Sequence, residues 1–311
     1  MIGRIVEIAQ DRRHLTAQRG HMVISKGDET LGQVPLDDIA AVIGNAHGLT
    51  YTNNLLVALA ERNATFVLCG ANHNPVGMLW PVAGNFEQAK RMDAQLAAGK
   101  PMQKRLWQTL VKAKLTHQST VLEARGKPHI PLTALVGKVR SGDPDNIEAQ
   151  AARRYWGLLF GPEFRRDRDA GGLNGLLNYG YMVLRAAVAR SVLSAGLHPT
   201  LGLHHSNAQN PMRLVDDLME PFRPFMDYAV AHLAECGHTD ISPEAKRRLV
   251  NVLYADLPGP QGVSPIMAWL SRLTVSLAQH YLGERQDIDL PLPPAPLDLA
   301  ALAKDHDAVR V

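Results

Sequence analysis

VGMLWPVAGNFEQAKRMDAQLAAG, residues 76–99, is where the chain changes its period. The first seven residues have the apolar, turn-flanked composition of a strand. From Asn85 onward Ala, Gln, Lys, Arg and Leu take over, and these are good helix formers. Upstream of the switch, short apolar runs are separated by turn residues: IGRIVEI (2–8), HMVIS (21–25), LGQVPL (31–36), IAAVIG (39–44) and ATFVLCG (64–70). Gly20-His21 and Gly27-Asp28 supply turns. One helix interrupts the pattern. TNNLLVALAERN (52–63) sets Leu55 and Leu59 on one face behind Thr52 or Asn53 as cap. Downstream, residues 86–99 and 102–126 read as helices. Further helices are expected near 131–140, 145–160, 172–196, 211–236, 243–256 and 264–282. The order is that of an α+β fold: a mostly β N-terminal domain with one helix (1–84), then a larger all-α helical domain (85–288). The Pro-rich tail (289–311) is expected to be extended or flexible.

The 311 residues suffice for one large domain or two ordinary ones, and 46% apolar composition supplies a core. The formal net charge of +3 permits a polyanionic partner without demanding one. Cys69 and Cys236 form neither a disulfide framework nor a CxxC zinc pair, which points to a reducing cytoplasm. The start, MIGRIVEIAQDRRH, meets charge at Arg4 and lacks the apolar core of a secretory signal. No apolar run approaches the roughly 20 residues of a membrane helix. Aromatic residues, at 5%, are too few for a stacking-dominated binder of single strands. There is no GxxxxGK phosphate loop.

Potential metal ligands crowd into HHSNAQNPMRLVDDLMEPFRP, residues 204–224. Asn210-Pro211 gives a helix start, cap then N1 proline. Arg213, Asp217 and Glu220 then share one face, and Leu214, Leu218 and Phe222 an apolar one. Pro221 cannot donate to the carbonyl of Asp217, so the helix bends beside its acidic face. His204 and His205 lie in the preceding loop. Such a face can be merely solvated, and a His-His pair can be a surface feature. If it is a site, oxygen donors with one imidazole favour Mg²⁺ or Mn²⁺ over zinc. A second stretch, SGDPDNIEAQAARRYWGLLF (141–160), places Glu148 in a first helical turn after Asp143-Pro144. Asp145-x-x-Glu148 also has capping-box spacing, in which Glu148 only satisfies an orphan amide. Arg153 and Arg154 serve either phosphate or solvation.

Three blocks in order carry a resemblance: EAQAARRYW (148–156), GGLNGLLNYGYMVLRAAV (171–188) and GLHPTLGLHHSNAQNPMRLVDDLMEPFRP (196–224). Together they resemble the CRISPR-associated integrase of spacer acquisition, the universal adaptation nuclease, and HHSN with DLMEPFRP looks most like its type II branch. The resemblance spans most of the chain except its last ~25 residues, whose Pro-rich composition gives no signal. It implies one divalent cation per site, held by Glu148, His205 and Glu220. Gly202 makes His205 the match to the family's G-x-x-H, with His204 a neighbour. Glu220 stands where many relatives have Asp. Asp217 matches a second acidic position beside the ligands, and Arg223 a basic position suited to the scissile phosphate. Asn174, Asn178 and Tyr181 are expected to pack and hydrogen-bond the ligand-bearing helices, with Tyr179 or Tyr181 alternatively facing DNA.

The resemblance further implies a metal-dependent DNA integrase and endonuclease. A fragment's 3′-hydroxyl attacks a repeat phosphodiester in line, without a covalent enzyme intermediate. Implied partners are double-stranded DNA (fragment and CRISPR repeat), a second copy of the chain in a homodimer, a small dimeric adaptation protein and, in type II systems, an RNA-guided effector nuclease. DNA contacts are expected mainly to phosphate, with Lys104, Arg105, Lys112, Lys114, Arg153, Arg154, Arg165 and Arg166 as candidates that could equally be solvated. Two other readings of the same residues are a stand-alone repair or junction nuclease and a non-enzymatic DNA-binding scaffold.

Overall fold

Alternating apolar residues build the strands. The computed structural model describes residues 3–70, 75–82 and 84–302. In chain order its first elements are β1 (Arg4–Ile8), β2 (His14–Gln18), β3 (His21–Lys26), β4 (Glu29–Pro35), β5 (Ile39–Gly44), β6 (Thr50–Tyr51), α1 (Asn53–Glu61), β7 (Thr65–Cys69) and β8 (Pro75–Leu79). One sheet has the order β1-β5-β7-β8, parallel except for the β7–β8 pair. The other has the order β4-β3-β2-β6. Strand alternation gives β5 and β7 two apolar faces. Val42 and Phe66 turn toward Leu15, Met22, Leu55 and Leu59, while Ala41, Ile43 and Val67 turn toward the helices. Thr52 caps α1, its hydroxyl accepting from the Leu55 amide.

The helical part comprises α2 (Gln88–Ala97), α3 (Lys100–Ala124), α4 (Ile130–Val136), α5 (Ile147–Phe160), α6 (Leu173–Ser194), α7 (Arg213–Met219), α8 (Arg223–Glu235), α9 (Pro243–Asn251), β9 (Asp256–Gly259), β10 (Gly262–Pro265), α10 (Ile266–Tyr281) and α11 (Pro296–Ala301). α6 lies between sheet and helices, and the polar tie there is Glu7. It accepts from the Tyr179 hydroxyl at 2.5 Å and pairs with Lys246 at 3.0 Å. Tyr179 is therefore a buried joint between the two parts, not a residue facing DNA.

Four expectations need correction. β2 and the antiparallel β9–β10 hairpin were not anticipated, the hairpin because DLPGPQGVSP is short and turn-rich. The helix expected over 243–256 ends at Asn251 and gives way to a turn and then β9. α7 begins at Arg213, not Pro211; the Asn210 side chain instead accepts from the Met212 amide at 3.0 Å. The helix expected over 211–236 is broken, because Pro221 forces a 3-10 turn over Glu220–Phe222 before α8.

Residues 289–302 of the tail are folded onto the helices. The Asp289 amide donates to the Ser276 hydroxyl, the Leu292 amide to the Pro258 carbonyl, and Leu299 and Leu302 are buried. Prolines prepay backbone entropy there, so a few leucines suffice to dock the segment. Residues 303–311 of the expected flexible tail lie outside the described residues.

His117 of α3 fixes the proline turn, its Nδ1–H donating to the Pro221 carbonyl at 2.7 Å. Burial pushes its pKa from 6.5 down to about 4. A folded pKa below the unfolded one gives stability that is full above about pH 6.5 and is lost as pH falls toward 4. From pH 7 to pH 5 this group alone is expected to cost about 2 kcal/mol. Urea melts at both pH values check it: His117→Asn should lose that much less than the parent, and equal losses would acquit His117.

Candidate metal centre

α3 has a buried stripe at helical spacing: Trp107, Leu110, Lys114, Gln118 and Val121. Lys114, 5% exposed, sits inside it. A buried ammonium requires partners, and two glutamates supply them. Lys114 Nζ donates to Glu148 Oε1 on α5 and lies 2.6 Å from Glu220 Oε2 at the end of α7. Burial works against the charge on Lys114, but Glu220 and Glu148 outweigh it and hold the pKa above the ordinary lysine value. Burial likewise disfavours the Glu220 carboxylate. Arg223 and Lys114 overcome this and keep its pKa low.

Glu148 is positioned from below by Asp143, whose carboxylate accepts from the Ile147 and Glu148 amides, both at 2.9 Å. Asp145 instead pairs with Arg140. The capping-box role for Glu148 is thereby overturned: its carboxylate goes to Lys114, and Asp143 does the capping.

Asp217 is fully buried, so it does not belong to a solvated face. Its carboxylate accepts from the Leu203 amide at 2.6 Å, the His204 amide at 3.1 Å, the His205 amide at 3.2 Å and His205 Nδ1 at 2.6 Å. That hydrogen bond raises the pKa of His205. It also fixes the ring and leaves Nε2 as the nitrogen available to a ligand. Gly202 is needed for the cradle. A Cβ there would stand 2.8 Å from Arg213 Cβ and 3.0 Å from Asp217 Oδ2. The loop is held from the other side by Arg185, which pairs with Asp216 at 2.7 Å, and by Asn210, which donates to Asp216.

Arg223, the first residue of α8, pairs with Glu220 at 3.2 Å, and its guanidinium lies 4.9 Å from the centre of the Tyr181 ring. Tyr181 in turn donates to Asp227. Asp227 is buried, and burial raises its pKa to about 7. His204 stacks face to face on Trp107, with ring centres 4.3 Å apart and planes 3° from parallel.

Glu148 and Glu220 thus meet at one cation, and Asp217 ties down His205. Among the described residues, however, no three His, Cys, Asp or Glu side chains stand close enough to enclose an ion. The expected set is brought together in part, with the Lys114 ammonium between the two carboxylates.

Two of the eight basic candidates need correction. Lys114 is buried in the cluster and is no surface contact for phosphate. Arg166 is spent on Asn174 and Asn178 at 2.9 and 2.6 Å. Lys104, Arg105, Arg153, Arg154 and Arg165 are exposed. Asp143, Trp107 and Asp227 were missed as site neighbours. Lys114 was named for the wrong role, although a lysine in an apolar stripe was a readable sign of a buried ion pair.

Residues 6–243 match the family model for CRISPR associated protein Cas1. The chain is 39% identical over 251 residues to the CRISPR-associated endonuclease Cas1 of Neisseria meningitidis serogroup C (strain 8013), covering 79% of this chain and 82% of that one. In fold it is similar to a casposase bound to integration product, with a TM-score of 0.77, 19% identity and 92% of each chain covered. It is also similar to a chain of a Cas6-RT-Cas1–Cas2 complex, with a TM-score of 0.73 and 19% identity over 92% of this chain and 35% of that one.

Proposed function

The chain belongs to the Cas1 family of CRISPR-associated proteins, and from that premise we propose that it is a divalent-metal-dependent DNA integrase and endonuclease that inserts DNA fragments into a CRISPR array as new spacers. The observation that carries the reading to this site is the convergence of Glu148 and Glu220 on a single buried cation. The donor set fits a hard divalent ion. Glu220 Oε2 is buried, and the partner it has is a positive charge, the Lys114 ammonium 2.6 Å away. Two carboxylates and the Nε2 of His205 are the oxygen-rich, single-imidazole set that suits Mg²⁺ or Mn²⁺.

When bound by Glu148, Glu220 and His205, such an ion would stabilise charge on the phosphoryl oxygens during in-line displacement. The remaining work belongs to the chain. Asp217 holds His205 in one tautomer and orientation. Arg223 holds Glu220 and brings a fixed positive charge to the edge of the site. The fragment's 3′-oxygen forms the new P–O bond as the bond to the repeat strand's 3′-oxygen breaks. With water as the attacking group the same site cuts DNA.

The proposed partners are double-stranded DNA, a second copy of the chain, a small dimeric adaptation protein and, for the type II branch, an RNA-guided effector nuclease. The cytoplasm is the proposed compartment, and among the described residues no helix is long and apolar enough to cross a membrane. The direct test supplies a labelled duplex with 3′-hydroxyl ends, a plasmid bearing the repeat array, and the adaptation partner. Joined product is expected with Mg²⁺ or Mn²⁺ and none after chelation. Junction cleavage with no joining would favour a repair nuclease, and DNA binding alone a scaffold.

A further inference from the structure

The direct ion pairs around Glu220 are balanced in charge. Two carboxylates, Glu148 and Glu220, face two cations, Lys114 and Arg223. Lys114 Nζ lies between the glutamates, in the space that an ion shared by them would need. Its stem is locked in the apolar stripe of α3, between Leu110 and Gln118. A divalent cation entering there meets an ammonium in its place and adds two positive charges where Lys114 and Glu220 are buried and already paired. Such charge is costly without a matching anion. DNA brings that anion, since each backbone phosphate carries one negative charge.

Resting on the metal reading above, we propose that Lys114 is the resident counter-ion of this site, a positioning residue that a divalent cation must displace from Glu148 and Glu220, so that metal loading is coupled to bound DNA phosphate. The metal-free chain then keeps its two glutamates together without an ion. The site fills only when the substrate backbone is present to receive the surplus charge. By reciprocity the metal tightens DNA binding by the same factor.

The test measures Mn²⁺ affinity of the full chain by electron paramagnetic resonance, with and without a short duplex whose 3′ ends lack the hydroxyl. In the parent protein the duplex is expected to tighten Mn²⁺ at least about tenfold. Lys114→Met is expected to bind Mn²⁺ at least about tenfold tighter than the parent without DNA, and to gain little from the duplex. A lysine that only supported the fold would, when removed, weaken binding. Equal affinity in the parent with and without duplex overturns the proposal, and this arm needs no variant to fold. Unchanged or weaker binding by a folded Lys114→Met or Lys114→Gln also overturns it. Glu220→Gln separates the two levels. If Mn²⁺ binding in the presence of the duplex survives that change, or the parent binds none even with the duplex, the metal reading itself falls and takes this one with it. If Glu220→Gln abolishes binding while Lys114 variants behave as the parent, only the role of Lys114 falls.

Discussion

Glu220→Gln is expected to lower strand joining at least about 10³-fold, equivalent to about 4 kcal/mol of transition-state stabilisation. The exchange keeps the volume and removes the charge. It therefore takes away a proposed metal ligand and leaves Lys114 with Glu148 alone and Arg223 without its carboxylate. Breaking a buried ion pair is itself destabilising, by about 3–5 kcal/mol in the harsher cases. A joining assay must therefore be read beside a circular-dichroism melt. Should the variant melt below the assay temperature, His205→Ala carries the same question at lower structural risk, because His205 is partly exposed and the amides around Asp217 stay in place. Joining at parental rates by a folded form of either variant would remove these residues from the chemistry.

Asp217→Asn has the second-largest expected effect, and it separates orientation from ligation. Asp217 accepts four hydrogen bonds and donates none. An amide supplies one oxygen acceptor and, on its other arm, an NH₂ that confronts N–H groups of the 203–205 loop. The loop should loosen and His205 lose its fixed tautomer. The expected loss of metal affinity is about 10–100-fold, in the range seen when the carboxylate behind a metal-binding histidine is removed. The pKa of His205 should also fall, because its hydrogen bond to a charged carboxylate, which raises it, is replaced by one to a neutral amide at best. Titration of the imidazole by NMR in the metal-free protein reads this without any catalysis. An unchanged titration would mean that Asp217 serves the backbone amides only.

Much of the fold could be read from periodicity. The switch after residue 85 marks where strands give way to helices, and Thr52, Leu55 and Leu59 act as their spacing implied. Strand HLTAQ (14–18) alternates polar and apolar residues, but Leu15 and Ala17 are too little apolar content between the charged Asp11-Arg12-Arg13 and Arg19 to mark it as one. Pairing with β3 makes it a strand. The tail misled for a related reason. Proline-rich composition has no period, and its order comes from docking Leu299 and Leu302 on the helices.

By itself the sequence determined the α+β order, because helical period is a property of neighbours along the chain, and its motif blocks carried the family resemblance, which implies Glu148, His205 and Glu220 as the proposed ligands. Only the tertiary structure decided that Lys114 and Glu148, 34 residues apart, share a partly buried ion pair, that Asp217 is a buried cradle, and that Arg166 is tied to Asn174 and Asn178 of the following helix α6. The physical reason is that a charged side chain takes its role from whatever packing leaves beside it once water is gone. No local pattern records which distant partner that will be.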